Sequence, residues 1–286
     1  MLPIFLTFFD RTAMGAFGDD FCFTLITNQA ALAAEADAAG VDQIGIDIER
    51  MNKVARQRYL PNARISDHEI SDLDRLSPVV RRAALFARLN ALHDNSNQEV
   101  EAALAGGATV LMLPFFSMPA EAERFVRLVD RRAKVTLLLE TAAAVVRLHD
   151  ILAVGGIDEV IVGLNDLRLS LGVTHEFEVV PSDLMTMIAD SVRAKGIRFG
   201  FGGLARAFDD RLPISSDLVI AQHARLSSSS SWLSRSFFSS AGGTIDLGLE
   251  VARLRQRLSF WASRPANELA DKREELRRRF RVGLIK

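Results

Sequence analysis

Short apolar runs alternate with helix-patterned segments along nearly the whole chain, and this alternation limits the fold more than any other feature of the sequence. Repeated strand–helix units of this kind are typical of a parallel β-sheet covered by helices. Glycines at the ends of the helical segments, such as Gly40 and Gly196, suit the left-handed position that ends a helix. We predict strands at residues 21–26, 43–48, 83–89, 109–113, 135–139, 159–163, 197–201 and 218–221. We predict helices that include residues 29–39, 98–105, 120–130, 142–153 and 184–195.

Eight such runs favour an α/β fold of the closed (β/α)8 TIM-barrel type over an open, doubly wound sheet. The open sheet should carry a glycine-rich phosphate-binding turn after its first strand, but residues 26–35 contain no glycine. A chain of 286 residues suits one large domain with an appendix. We predict a barrel domain over residues 1–244 and a C-terminal helical extension over residues 245–286, whose apolar stripe from Leu247 to Trp261 suits oligomerisation.

Charge and cysteine content exclude several classes of partner. A net charge of −1 provides no general attraction to nucleic acid or to an acidic membrane. The apolar N-terminal segment is far shorter than the ~20 residues that a membrane span needs. We therefore expect neither nucleic acid nor a membrane as partner. The single cysteine, Cys22, rules out an intramolecular disulfide and a cysteine-based zinc cluster, which fits a cytoplasmic protein.

Two carboxylates follow neighbouring strands of the predicted barrel. Glu140 comes directly after the run 135–139, and Asp166 lies just past the run 159–163. Both should lie at the C-terminal rim, where barrels of this type keep their chemistry. Oxygen ligands suit a hard divalent cation. The sequence therefore predicts a Mg²⁺ or Mn²⁺ site with Glu140 and Asp166 as ligands.

Four segments resemble a known family in the same order along the chain. They are IGIDIE (44–49), FARLNAL (86–92), GGATVLMLPFF (106–116) and LLLET with GIDEVIVGLNDLRLSLG (137–141 and 156–172). The chain resembles the HpcH/HpaI aldolase and citrate lyase β-subunit family of the phosphoenolpyruvate/pyruvate-binding barrels. The resemblance implies that Glu140 and Asp166 hold one divalent metal ion. It also implies that Arg88 contacts a 2-oxoacid and its enolate.

Four further residues near the rim are candidates for substrate binding. Asn90 would support the site beside Arg88, and Pro114 matches the rim proline of the family and would shape its loop. The turn from Gly163 to Asp166 opens a short helix, so backbone N–H groups of Leu164 and Asn165 are expected to bind a substrate carboxylate.

The motif at the end of the second strand departs from the family. Asp47 and Glu49 match the D-x-E-H motif of its pyruvate aldolases, but Arg50 replaces the histidine that is their proposed acid/base. Arg50 instead suggests a phosphate or a second carboxylate on the substrate. His223 and His68 are the best substitutes for the missing histidine, and we place His223 with Asp47, Glu49, Arg50 and Arg88 among the catalytic candidates.

These residues predict a metal-dependent carbon–carbon lyase that acts on a 2-oxoacid and on an aldehyde or a phosphorylated or otherwise anionic co-substrate. Alternatives are a citrate lyase β-like or malyl-CoA-like lyase and a non-catalytic ligand-binding member. The resemblance implies a homo-oligomer, either a trimer or a hexamer. The serine run at 227–231 is interpreted as a flexible linker or as a hydroxyl-rich lid or anion site.

Overall fold

Eight parallel strands pair in chain order and the eighth pairs with the first, which closes the sheet into a barrel. The computed structural model describes residues 17–51, 66–209, 211–239 and 245–281. The strands are β1 (Cys22–Ile26), β2 (Gln43–Asp47), β3 (Ala84–Arg88), β4 (Val110–Leu113), β5 (Lys134–Leu139), β6 (Glu159–Val162), β7 (Arg198–Phe201) and β8 (Ser230–Trp232). The predicted (β/α)8 barrel is confirmed.

Strand residues alternate between two apolar layers, because successive side chains of a strand point to opposite faces. A small cluster fills the inside of the barrel, formed by Phe86, Val110, Met112, Leu138 and Ile161. A much larger cluster lies between the sheet and the surrounding helices. The barrel interior is therefore a packed core with its openings at the two ends.

Helices cover the outside of the barrel. They are α1 (Ala30–Ala38), α2 (Leu73–Leu76), α3 (Ser96–Ala105), α4 (Pro119–Val129), α5 (Ala142–Val146), α6 (Leu148–Ile151), α7 (Leu164–Leu171), α8 (Asp183–Ala194), α9 (Ser216–Leu226), α10 (Arg235–Phe238), α11 (Leu247–Ala262) and α12 (Ala266–Arg281). The predicted helix at 142–153 is divided at Arg147, whose backbone leaves the helical region with φ −100° and ψ 14°. None of the described helices is long and apolar enough to cross a membrane.

The predicted eighth strand is wrong. Residues 218–221 lie inside α9, and β8 is formed by Ser230–Trp232 within the serine run. α9 is packed between the barrel and the C-terminal helices, so Leu218, Val219, Ile220 and Ala221 are all buried and read as an apolar strand. The serine run is accordingly neither a linker nor a lid, because it supplies the strand that closes the barrel.

The C-terminal extension packs on its own barrel. α11 buries Leu247, Val251, Leu254, Leu258 and Trp261. The Trp261 indole N–H donates to Asp217 of α9 at 2.8 Å, and Arg257 pairs with the same carboxylate. The apolar stripe from Leu247 to Trp261, for which the sequence suggested subunit contact, is therefore covered by the same chain. Oligomerisation stays a prediction, and the predicted boundary at residue 244 lies outside the described residues.

Candidate active site

The C-terminal rim of the barrel brings together four buried charged side chains. Asp47 ends β2, Arg88 ends β3, Glu140 follows β5, and Asp166 lies in the first turn of α7. All four are more than nine-tenths buried. Parallel strands end at the same edge, so residues far apart in sequence meet at this rim.

Arg88 is fixed by a bidentate ion pair with the neighbouring strand. The register pairs Asp47 directly with Arg88. Arg88 Nε donates to Asp47 Oδ1 at 2.8 Å, and Nη2 donates to Oδ2 at 2.5 Å. Glu49 Oε2 lies 3.6 Å from Nε. Nη1 makes no hydrogen bond to any part of the chain that the structure describes, so the guanidinium keeps one donor group for a ligand.

The carboxylates keep Arg88 charged although it is buried. Burial by itself would lower the pKa of Arg88, but Asp47, and after it Glu49 and Glu140, raise this pKa above its ordinary value. A permanently charged planar donor in a site with little water is well suited to stabilise an oxyanion. Arg88 therefore offers a fixed positive charge to an oxyanion, while the buried carboxylates around it outnumber it and favour a cation at the same rim.

Glu140 occupies a space that only glycine leaves open. Its Oε1 accepts a hydrogen bond from the Phe115 N–H at 2.9 Å. A Cβ atom at Gly163 would lie 2.7 Å from Glu140 Oε2 and 2.9 Å from Glu140 Cβ. The φ of Gly163 is −80°, which any residue can adopt. The glycine is thus required for room beside the carboxylate and not for its backbone conformation.

Asp166 is held by the start of α7. Gly163 precedes the helix, and Asp166 is its third residue. The N–H groups in the first turn of a helix have no acceptor within the helix and carry partial positive charge. Those of Leu164 and Asn165 belong to this turn, so the predicted carboxylate-binding amides do lie at the rim. The Asn165 side chain accepts from Arg168 Nε at 3.3 Å, and the binding of a carboxylate by the two backbone amides stays a prediction.

The two acidic residues fit a magnesium-type ion. Mg²⁺ is usually bound through one or two carboxylates and keeps several water molecules or substrate oxygens. Glu140 and Asp166 are buried, and the absence of a side chain at Gly163 preserves the space beside Glu140. Within the described residues there is no group of three or more histidine, cysteine or acidic side chains arranged around a metal position. An ion here would therefore need oxygen ligands from substrate or water.

Comparison with known proteins identifies the family of the chain. The sequence model of the family described as HpcH/HpaI aldolase/citrate lyase matches residues 21–211, well over half of the chain. The chain belongs to this family. Membership indicates chemistry of the lyase type. Among curated proteins, none matches the sequence significantly.

Solved structures share the fold at low sequence identity. An HpcH/HpaI aldolase from Desulfitobacterium hafniense DCB-2 aligns with a TM-score of 0.60 and 16% identity, over 76% of this chain and 86% of that one. An HpcH/HpaI aldolase/citrate lyase family protein from Burkholderia cenocepacia J2315 gives 0.59 and 17%, over 86% and 96%. The citrate lyase β subunit from M. tuberculosis, complexed with oxaloacetate and magnesium, gives 0.57 and 17%, over 85% and 99%.

Asn90 and Pro114 help to hold the loops around the site in place. Asn90 Oδ1 accepts from the backbone N–H of Arg50 and of Met51, and Nδ2 donates to Glu99 Oε1 at 2.8 Å. The side-chain amide of Asn90 is thus engaged with protein, and its role in binding substrate stays a prediction. Pro114 is buried at the end of β4, directly before the Phe115 amide that contacts Glu140.

Arg50 is exposed, and its guanidinium contacts two backbone carbonyl groups. Its Nε donates to the Ser66 carbonyl at 3.3 Å, and Nη2 donates to the His68 carbonyl at 3.1 Å. These contacts join Arg50 to the segment that begins at residue 66, and its role in binding a phosphate or carboxylate stays a prediction. A guanidinium can hold two carbonyl groups in this way because it presents several donors in one plane.

His223 is excluded as the catalytic base. It lies on α9 with no exposed surface, and its ring stacks on Phe201 with centroids 3.7 Å apart. Phe201 belongs to the layer between sheet and helices, on the side of the barrel wall away from the site. Burial lowers the pKa of His223 to about 3, so the ring is neutral. The prediction was wrong because a helix was taken for the eighth strand.

Trp232 is the rim residue that sequence reasoning missed. It ends β8, and its ring lies 5.0 Å from the Arg88 guanidinium carbon. Its indole Nε1 is buried and has no hydrogen-bond partner among the described residues. Correct placement of β8 would have revealed it, because alternation along Ser230, Ser231 and Trp232 points the indole into the barrel.

Proposed function

We propose that the chain is a divalent-metal-dependent carbon–carbon lyase that forms or cleaves a 2-oxoacid aldol through a pyruvate-like enolate. The observation that carries this proposal is the convergence of buried Glu140 and Asp166 with a charged Arg88 at one rim. Acidic ligands for a cation and a fixed donor for an oxyanion are what enolate chemistry requires.

Glu140 and Asp166 would hold Mg²⁺ or Mn²⁺. A bound divalent cation would polarise the 2-oxo group and share the negative charge of the enolate. Support for this cofactor comes from the related M. tuberculosis protein, whose structure contains oxaloacetate and magnesium. The Phe115 amide orients Glu140, so that the carboxylate does not have to be ordered when the ion binds.

Hydrogen-bond donors of Arg88 and of the first turn of α7 would bind the enolate oxygen and the carboxylate of the substrate. Arg88 would direct Nη1 to the oxygen that becomes negative in the enolate, while Asp47 keeps the guanidinium in place. The first-turn amides of Leu164 and Asn165 would bind the substrate carboxylate. This division places the carboxylate and the enolate oxygen on separate positive groups.

The proposal is tested with Mn²⁺ binding and oxaloacetate decarboxylation. Decarboxylation yields the pyruvate enolate without an aldehyde, so it isolates this half of the chemistry. We expect Glu140→Ala to abolish Mn²⁺ binding, measured by electron paramagnetic resonance, and to lower the decarboxylation rate by at least about 10³-fold, since the polarising ion supplies several kcal/mol.

The matched control is Glu123→Gln on α4, where the carboxylate is exposed and pairs with Arg127. It should leave both measurements unchanged. Wild-type protein that binds oxaloacetate equally well with and without metal, and neither decarboxylates it nor exchanges the C3 protons of pyruvate, would contradict the proposal and indicate a ligand-binding member.

A further inference from the structure

Of the five histidines, only His68 makes a hydrogen bond to one of the four charged rim residues, within the part of the chain that the structure describes. His93 lies 3.0 Å from Glu99, and His223 is enclosed behind the barrel wall. His149 is exposed beside Asp150, and His175 stacks near Phe280 of α12. His68 Nδ1 accepts the backbone N–H of Asp47 at 3.2 Å.

This hydrogen bond fixes the tautomer of the imidazole. A backbone N–H can only donate, so Nδ1 must carry the lone pair, and the proton of the neutral ring is on Nε2. His68 is half-buried, and burial lowers its pKa from the ordinary 6.5, against the opposing effect of Asp47 and Asp72. Nε2 has no hydrogen-bond partner among the described residues. His68 therefore presents one unused N–H donor and no free basic nitrogen.

Arg50 ties this histidine to the barrel. Its guanidinium holds the carbonyl groups of Ser66 and His68, and the Ser66 hydroxyl accepts the His68 N–H at 3.3 Å. The backbone N–H of Arg50 donates to Asn90, two residues beyond Arg88 at the end of β3. Hydrogen bonds thus run without a break from Asn90 through Arg50 to His68, and they hold the imidazole ring at the end of β2.

We propose that His68 is a neutral hydrogen-bond donor to the carbonyl oxygen of the aldehyde co-substrate and that Arg50 is its positioning residue. This inference rests on the proposed function. In aldol addition, C3 of the enolate attacks the aldehyde carbon and a carbon–carbon bond forms. The electron pair of the C=O bond moves to oxygen, where the Nε2–H group stabilises it, and the oxygen then takes a proton from water. Cleavage follows the same steps in reverse.

The alternative is a general base, and the geometry opposes it. A base must accept a proton on a lone pair, but the only lone pair of the ring is directed to the Asp47 amide. Protonation there would break that hydrogen bond. A donor role needs no change in protonation, and it requires only that Nε2–H reaches the reacting oxygen.

The first test is spectroscopic and does not depend on activity. The full-length protein, labelled with ¹⁵N-histidine, should show His68 at pH 7 with a pyridine-type Nδ1 and a pyrrole-type Nε2, assigned by its loss in His68→Gln. A charged ring or the Nδ1–H tautomer would overturn the assignment. Arg50→Gln should leave the ring in a mixture of tautomers, whereas the matched control Arg127→Gln on α4 should not.

The second test separates the two halves of the reaction. With Mn²⁺ present, His68→Ala should keep oxaloacetate decarboxylation within about threefold of wild type, because this reaction has no aldehyde oxygen. Addition of pyruvate to glyoxylate, glycolaldehyde or acetaldehyde should fall by about 10²-fold or more, as is typical for loss of one oxyanion donor. His68→Gln should recover part of that loss, because its amide can donate from a similar position.

The results of these tests distinguish a hydrogen-bond donor from a general base and from a purely structural residue. Wild-type protein without decarboxylation would contradict the proposed function and leave the tautomer result standing. Decarboxylation by wild type together with no addition to any of the three aldehydes would overturn the donor role. An equal loss of aldol addition in His68→Gln and His68→Ala would indicate a general base and overturn the donor role. Loss of decarboxylation in both variants would indicate that His68 has a structural role.

Discussion

The two ends of the barrel both bury carboxylates, but they surround them differently. At the C-terminal rim, Asp47 contacts Arg88 through two hydrogen bonds. At the opposite end, Glu159 is the first residue of β6 and is 3% exposed. Its Oε2 accepts from the Thr136 hydroxyl at 3.1 Å, and Oε1 has no hydrogen-bond partner among the described residues.

The two ends of the barrel differ in the protonation state that they favour for a buried carboxylate. Burial raises the pKa of Glu159, and the nearby Ser230 hydroxyl, Arg198 and Thr136 oppose this effect only in part. A cavity of about 440 Å³ opens beside Glu159, with Lys134 among its lining residues. The rim keeps its charges by pairing them, whereas the other end favours the neutral acid. This contrast agrees with the usual division of such barrels into a chemical face and a stability face.

The largest expected effect comes from breaking the ion pair at the rim. Asp47→Asn leaves Arg88 buried without its bidentate partner, which typically costs about 3–5 kcal/mol. We expect the lower end, because Glu49 and Glu140 remain near the guanidinium. Urea unfolding should show a loss of about 3 kcal/mol.

Glu123→Gln breaks an exposed ion pair and should leave the free energy of unfolding unchanged within error. Arg88→Met removes the cation that Asp47, Glu49 and Glu140 share, so it should cost at least as much stability as Asp47→Asn. If Arg88→Met is as stable as wild type, charge pairing is not what holds this part of the rim together.

A smaller effect is expected from filling the space beside Glu140. In Gly163→Ala the new Cβ would lie 2.7 Å from Glu140 Oε2, so the carboxylate must shift. We expect the Kd for Mn²⁺, measured by titration calorimetry, to rise by about 10- to 100-fold, as for other disturbed metal surroundings. Gly155→Ala is the matched control, since a Cβ there has nothing within 4 Å. Equal affinities in the two variants would contradict the assignment of Glu140 as ligand.

The smallest effect is expected at the opposite end. Glu159 binds its proton more tightly in the folded than in the unfolded state, so wild-type stability should fall as pH rises from about 4.5 through the raised pKa. Glu159→Gln should remove this slope. We expect it to gain roughly 1 kcal/mol relative to wild type between pH 5 and pH 8, measured by urea unfolding, with Mn²⁺ affinity unchanged. A variant that follows the wild-type pH dependence would show that Glu159 stays ionised.

Seven of the eight strands were predictable because each is an apolar run of strand length, and four of them follow a helix that ends in glycine. The eighth was not, since Ser230 and Ser231 have no apolar signal and are recognised as a strand only through pairing with Cys22 and Gly200. Hydrogen bonds with distant segments override local preference in such a strand.

The positions of Glu140, Asp166 and Arg88 could be predicted, because residues at strand ends of a parallel barrel share one edge. The contacts that the neighbouring residues make could not be predicted. Arg50 has the same charge whether it binds a substrate or two carbonyl groups, and only the path of the chain brings Ser66 beside it. The same holds for His68, whose tautomer depends on the amide of Asp47.

The joint between β7 and β8 is the sparsest seam of the barrel. Within the two strands Gly200 pairs with Ser230, and just beyond them Leu204 bridges to Leu233; a Cβ at Gly200 would lie 2.2 Å from Ser230 Oγ. The next inward-facing residue of β8 is Trp232, whose indole covers Arg88. A larger side chain at position 200 would push against the strand that carries Trp232, so the close fit of the barrel wall and the surroundings of the Arg88 charge depend on the same glycine.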